Sequence, residues 1–427
     1  MENRYDKYKD SGIAWIGEIP EHWEVKRVKN ICSQTNIKEN SKGNPLPYIG
    51  LENIESGSGK YVDTTSEVDG IANRFCKNNV LFGKLRPYLS KVYLAKSDGI
   101  CSTEFIVYDT KENDCRFIHK LLLSQAFIEV VNSSTYGAKM PRANSDFINN
   151  IYVQIPPLSE QQSIANYLEQ KCGEIDEMIT LQEEMITKLQ SYKQSVITEA
   201  VTKGLDKNVP LKDSGIEWIG EIPEHWEVKR LKFSCNVFGR IGFRGYKSDD
   251  LVSEGNGAIT LSPSNMKDMK MDYTNRTYLS WKKYYESPEI MISKNDILMV
   301  KTGSTYGKCS FVDDIPMECT INPQIVVFKQ HKDYPKFLAY SFQTKATRAF
   351  VETSVVGGTI PTIAQEKIMN YFFAFPPLSE QQSIANYLDQ KCSEIDELIS
   401  IKQQKIEKLK DYKKSLIFEC VTGKRKV

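Results

Sequence analysis

Gly303-Ser304-Thr305-Tyr306-Gly307-Lys308-Cys309 carries the glycines and lysine of a phosphate-cradling loop. It has three rather than four residues between the glycines, and Cys309 stands where a hydroxyl must ligate magnesium, so nucleotide binding fails on its own mechanics. Pro20-Glu21 with Glu24-Val25-Lys26 has the residue types of a nuclease metal motif. Its carboxylates are too close in sequence to come from separate strands, and the element recurs at Pro223 to Lys229, which suits structural charge better. Gly239-Arg240-Ile241-Gly242 lacks the third glycine and the acidic ribose ligand of a dinucleotide site. There is no Asn-Pro-Pro-aromatic or Asp-Pro-Pro-aromatic tetrapeptide to hold an exocyclic amine. The four histidines, His22, His119, His225 and His331, give no nucleophile a convincing base. Ten cysteines are scattered singly without a C-x-x-C pair, which argues against structural zinc and for reduced, mostly buried thiols. The chain reads as a non-enzyme with no catalytic residues and no metal.

What remains is basic and aromatic residues at turns. Lys84, Arg86, Tyr88 and Lys91 surround one turn, and Lys139 and Arg142 surround another. Further along, Arg240, Arg244 and Lys247 lie among glycines, and Lys301 opens a loop holding Ser304, Thr305, Tyr306 and Lys308. Cations, hydroxyls and backbone amides at glycine-rich turns suit phosphate contacts, while arginine, lysine and threonine side chains suit base edges. Taken singly, each cluster also fits an ordinary solvated loop. With 56 basic against 55 acidic side chains, bulk charge cannot bind nucleic acid, so any such site must be local.

These clusters sit in a chain that contains its own copy. Lys9 to Lys29, KDSGIAWIGEIPEHWEVKRVK, returns at Lys212 to Lys232 with two differences, Ala14/Glu217 and Val28/Leu231. PPLSEQQSIANYLEQKCGEIDEM from Pro156 returns from Pro376 as PPLSEQQSIANYLDQKCSEIDEL. The first block repeats at an offset of 203 residues and the second at 220, so the second intervening region is 17 residues longer. Between the blocks, Asn30 to Ile155 and Phe233 to Phe375 share almost no identity. A solenoid repeats every unit, whereas this pattern suggests one scaffold holding two different readers. The tryptophans of the entry block (Trp15, Trp23, Trp218, Trp226) fit packing better than base stacking, since both copies carry them whatever follows.

The run after Pro157 predicts a helix start, with Ser159 as N-cap, Gln162 in the capping-box position and Glu160 in the first turn. With Gln161 as heptad position a, Leu168, Ile175 and Leu189 continue the a series. Ile164, Met178, Met185 and Tyr192 fall at d, and Ala165, Cys172, Ile179 and Ile186 at e. In the copy, Leu388, Ile395 and Leu409 fall at a, and Ile384, Leu398 and Tyr412 at d. Each helix is expected to pair with the other, with Gly204 as a C-cap and a length of about 66 Å at 1.5 Å per residue. The expected fold class is mixed α/β. Its segments are a first variable domain with its entry block (1–155), a central helix (156–207), a second variable domain with the repeated entry (208–375) and a C-terminal helix (376–427).

These motifs resemble the specificity (S) subunit of type I restriction-modification systems. Two recognition domains, each entered through a W-E-V-K-R element and closed by P-P-L-S-E-Q-Q-S-I-A-N-Y-L, match the family's P-L-P-x-x-E-Q-x-x-I-x-x-x-L helix start over nearly the whole chain. Asp296 to Asn322 is similar to the strand-and-loop core of such a domain and Gly357 to Leu378 to its exit, while Phe82 to Pro87 departs from that pattern in the first domain. The resemblance implies a subunit without catalysis that binds double-stranded DNA at a bipartite target, its helices acting as a spacer. It also implies two methyltransferase (M) subunits using S-adenosylmethionine, and restriction (R) subunits with ATP and magnesium. A coiled-coil adaptor that never touches DNA is the competing reading. No apolar run reaches the length needed to cross a bilayer and MENRYDKYKD fits neither a signal nor a transit peptide, so a cytoplasmic protein is expected.

Overall fold

The computed structural model describes residues 4–64, 69–137, 139–240, 242–356 and 361–427. It divides into two compact units, residues 1–183 with 402–427, and residues 184–401. Each unit holds one variable region together with a portion of both long helices, so neither helix forms a domain of its own.

In the first unit, β1 (Ser33–Thr35), β2 (Val80–Gly83), β3 (Val92–Leu94) and β4 (Phe105–Asp109) form an antiparallel sheet in the order β1-β4-β2-β3. In the second, β5 (Asn236–Gly239), β6 (Ile297–Val300), β7 (Cys309–Phe311) and β8 (Ile325–Lys329) form one in the order β5-β8-β6-β7. Topology is thus shared where identity is absent. Both β2 and β6 are continuous apolar runs because both of their faces are covered. Ile297 and Met299 of β6 enter a core with Phe337 and Phe373, while Leu298 and Val300 enter another with Ile259 and Cys319.

The second sheets differ. In the first unit Gly99–Ser102 lies between Ile71–Phe75, antiparallel, and Tyr48–Ile49, parallel. In the second, Gly257–Leu261 takes the middle, antiparallel to Tyr278–Ser280 and parallel to Cys319–Ile321. The offset between equivalent strands rises from 203 at β1 and β5 to 217 at β2 and β6, so most of the extra length builds this second sheet.

The entry block closes each domain on itself. Glu24–Arg27 pairs antiparallel with Tyr152–Ile155, and Glu227–Arg230 with Phe372–Phe375, so the strand leading in is bonded to the strand leading out. Trp23 and Trp226 are fully buried, Trp15 meets Phe127 edge-on at 6.3 Å, and Trp218 stacks on Phe350 at 5.0 Å. Those contacts are packing, as the repeat predicts.

The long helices are α1 (Leu158–Lys203) and α2 (Leu378–Val421). Each begins one residue before the expected Ser159 or its equivalent: the carbonyl of Pro157 accepts from Glu160 N at 2.9 Å and Gln161 N at 3.0 Å. Proline has no N–H to leave orphaned, which suits it to a helix entry. Glu160 instead meets His22 Nε2 at 2.8 Å, as Glu380 meets His225. At the other ends Gly204 and Gly423 adopt φ of +75° and +73°. A Cβ on Gly423 would lie 2.3 Å from Pro20 and 3.2 Å from Trp23, and one on Gly204 3.3 Å from Trp226.

The seam runs along a and e, not a and d. Leu168, Ile175, Leu388 and Ile395 at a are buried with Ala165, Cys172, Ala385 and Cys392 at e, while Leu189 and Leu409 are half-buried. Met178 and Leu398, expected in the pairing, are 40% and 47% exposed. One helix can bury only a single stripe, and the d series carries Lys171, Glu199 and Lys391 while the e series is small or branched. Ile164 and Ile384, also at d, are buried because they face the recognition-domain cores. The pairing is antiparallel and repeats with the sequence: Lys413 donates to Asp176 at 2.7 Å in the first unit, Lys193 to Asp396 at 2.6 Å in the second.

A buried glutamine pins each recognition domain to its helix. Gln161 Nε2 donates to Pro156 O and Asn113 Oδ1, both at 3.0 Å, and its Oε1 accepts from Asp114 N at 3.0 Å. Gln381 makes the same three bonds to Pro376, Asp333 and Tyr334. Gln161→Leu removes the partner of half-buried Asp114 N and of buried Pro156 O and is expected to cost about 1–3 kcal/mol. Chemical denaturation checks this, and an unchanged midpoint would contradict it.

Candidate nucleic-acid interface

Beyond the ends of β2 and β6 the chain builds the same backbone cradle twice. In the first unit Lys84 N donates to Glu104 O at 2.8 Å, Ala143 N to Lys84 O at 3.0 Å, and Arg86 N to Pro141 O at 2.7 Å. In the second Lys301 N donates to Gln324 O at 2.7 Å, Ile363 N to Lys301 O at 2.8 Å, and Gly303 N to Pro361 O at 3.0 Å. The bridge between Leu85 and Arg142 has its counterpart between Thr302 and Thr362. Even the tight turns agree: Glu104 N bonds Ser102 Oγ at 3.2 Å, and Gln324 N bonds Asn322 Oδ1 at 3.0 Å.

Three chain segments therefore meet at one edge of each domain. A lysine lies at the same point in both, and the other rim side chains differ. Arg86 and Gly303, at the sharpest part, both have positive φ, +51° and +108°. In the first cradle Arg142 donates to Glu104 at 2.5 Å. In the second, Asn322 Nδ2 donates to Gln324 Oε1 at 3.1 Å, and Thr362 Oγ1 to Thr302 Oγ1 at 3.4 Å. Burial lowers the ammonium pKa of Lys301, which makes that cation responsive to a neighbouring anion.

Of the residues singled out from sequence, Lys84, Arg86 and Arg142 are brought together at the first cradle and Lys301 stands at the second. Tyr88 and Lys139 are exposed on the adjoining turns, with Tyr136 65% and Met140 58% exposed beside them. Lys91 is directed inward, donating to Leu51 O at 2.6 Å. Ser304 and Thr305 are exposed, and Tyr306 and Lys308 half-buried, on a loop joining β6 to β7. Because that loop connects two strands, no helix N-terminus backs it as in a phosphate-binding loop. Lys247 is exposed next to Asp250, and Arg244 pairs with Glu289 at 3.4 Å.

Arg240 is a correction. Only 4% exposed, it donates to Ile321 O at 3.2 Å, Thr320 Oγ1 at 3.1 Å and Arg244 O at 3.4 Å. It braces the turn at Arg244 from inside, so its guanidinium is engaged within the fold instead of standing at the surface. Sequence reasoning missed Ser102, Glu104, Asn322, Gln324 and Thr362, which are not basic; the signal available was a lysine directly after each four-residue apolar strand.

Among the described residues no group of three or more His, Cys, Asp or Glu side chains is placed to hold a metal ion. No helix among them is long and apolar enough to cross a membrane.

The family model described as "Type I restriction modification DNA specificity domain" matches residues 20–190 and 223–411, one cradle in each stretch. The chain belongs to this family. It is 25% identical to the type I restriction enzyme MjaVIII specificity subunit of Methanocaldococcus jannaschii, over 96% of this chain and 94% of that one. The EcoDI specificity subunit of Escherichia coli is 27% identical over 43% of each chain. A chain from a structure of a type I R-M system, concerned with complex assembly and conformational transition, superposes with a TM-score of 0.74 at 19% identity, covering 94% of this chain and 98% of that one. The HsdS subunit from Thermoanaerobacter tengcongensis gives 0.53 at 20% identity, covering 95% and 98%. Type I specificity subunits thus share the mixed α/β fold found here, with repeated domains and long packed helices.

Proposed function

We propose that this chain is the non-catalytic DNA-reading subunit of a type I complex, each recognition domain reading one half of a bipartite target in double-stranded DNA. The observation that carries this reading is the duplicated cradle, alike in backbone and lysine and different in rim side chains. A common cation suits phosphate, which every sequence offers, and a changing rim suits bases, which differ.

Two methyltransferase (M) subunits dock on the helices, with restriction (R) subunits added in the larger assembly. S-adenosylmethionine, ATP and magnesium belong to those partners. Support comes from two repeat-related sets of exposed apolar residues: Met178, Leu181 and Tyr412 in the first unit, Leu398, Ile401 and Tyr192 in the second. Equal surfaces suit equal partners.

Salt-titrated binding of duplex DNA by the chain assembled with its M subunit tests the reading. Log affinity should fall linearly with log salt, and Lys84→Ala or Lys301→Ala should each reduce that slope by roughly one. Arg240→Ala should leave the slope alone. Absence of salt-dependent binding would favour a protein–protein adaptor.

A further inference from the structure

The two cradles can be compared position by position, because the same backbone hydrogen bonds fix both. Lys84 and Lys301 coincide. At the three rim positions the first domain has Ser102, Glu104 and Arg142, where the second has Asn322, Gln324 and Thr362. These are changes of hydrogen-bonding type on a retained frame. Sequence drift in a loop that merely needed solubility would not preserve three matching pairs of backbone bonds.

The side chains are arranged for different partners. Arg142, whose side chain is 48% exposed, has its guanidinium oriented by the Glu104 carboxylate at 2.5 Å. An oriented guanidinium presents paired donors, the complement of guanine O6 and N7, and Glu104 can only accept. In the second domain Gln324 is exposed, and Asn322 holds its Oε1 at 3.1 Å. An amide offers one donor and one acceptor in a plane, the complement of adenine N7 and N6. A Cβ on Gly303 would lie 3.5 Å from Gln324 Nε2, so the glycine leaves the approach to the amide open where the first domain has Arg86.

We infer that these three rim positions set the base choice of each domain, the first reading a G·C pair through Arg142 and Glu104 and the second an A·T pair through Gln324 and Asn322. Lys84 and Lys301 hold phosphate in both. The inference rests on the DNA-reading function proposed above.

The test carries the first rim into the second domain: Asn322→Ser, Gln324→Glu and Thr362→Arg together, in the full chain assembled with its M subunits. Methylation of a library randomised at the target reports the bases chosen, and salt-titrated binding reports DNA affinity. The original target should lose roughly 5- to 150-fold relative to its G·C-substituted form, at the second half-site alone, with the first half-site unchanged. A folded variant that keeps the original second half-site and the unaltered salt slope overturns the inference while leaving DNA reading intact. Wild-type complex without salt-dependent binding overturns the DNA-reading function itself. Should the triple variant fail to fold, Gln324→Ala should relax one position of the second half-site, and undiminished discrimination there would equally overturn the inference.

Discussion

Deleting residues 416–427 is expected to unfold the first unit and leave the second folded. Leu416, Ile417, Cys420 and Val421 are at most 7% exposed and belong to the same core as Trp23, Val153, Ile164 and Leu168. At about 1.5–3 kcal/mol for each buried aliphatic side chain, their loss removes roughly 5–10 kcal/mol, comparable with the whole stability of a typical domain. The deletion also strips Gln154 Nε2 of its bond to Val421 O at 2.6 Å, and removes the Gly423 carbonyl that accepts from Tyr8 at 3.2 Å. Gln154 is fully buried, so the lost bond leaves a donor without water. None of the residues in the second unit's cores comes from the deleted segment. Calorimetry should therefore show one cooperative transition lost and one kept, with limited proteolysis confined to residues 4–183 and 402–415. Survival of both transitions would contradict this packing.

That dependence of an N-terminal unit on the last residues of the chain follows from the repeat, and the repeat could be read directly because its blocks are nearly identical. The helices could be read too, from apolar spacing and from proline and glycine at their ends. Their register could not. Met178 at d is as apolar as Ile175 at a, and only the opposing helix decides which stripe it covers. The cradles were hidden for a different reason. Lys84 and Lys301 stand 217 residues apart, whereas Glu104 and Gln324 stand 220 apart, so no single alignment offset brings the cradle into view. The bonds that define it are backbone bonds, which any side chain permits. Arg240 shows the converse, since counting cations by sequence cannot tell a buried brace from an exposed contact.

The largest functional effect is expected from replacing residues 233–375 by the corresponding domain of another specificity subunit. This segment contains all of the second sheet pair, its cradle and none of the first unit. It starts just after Glu227–Arg230 and ends with Phe372–Phe375, the strands that pair to close the domain, so those bonds must re-form between retained and replaced chain. The entry tryptophan Trp226 and the helix start after Pro376 stay in place, so the scaffold on which we propose that the M subunits dock is unaltered. Methylation mapping at base resolution, on the assembled complex, reads the result directly. One half of the target should change completely and the other should remain as in the parent protein. A change in both halves, or in neither, would contradict the claim that each domain reads its own half.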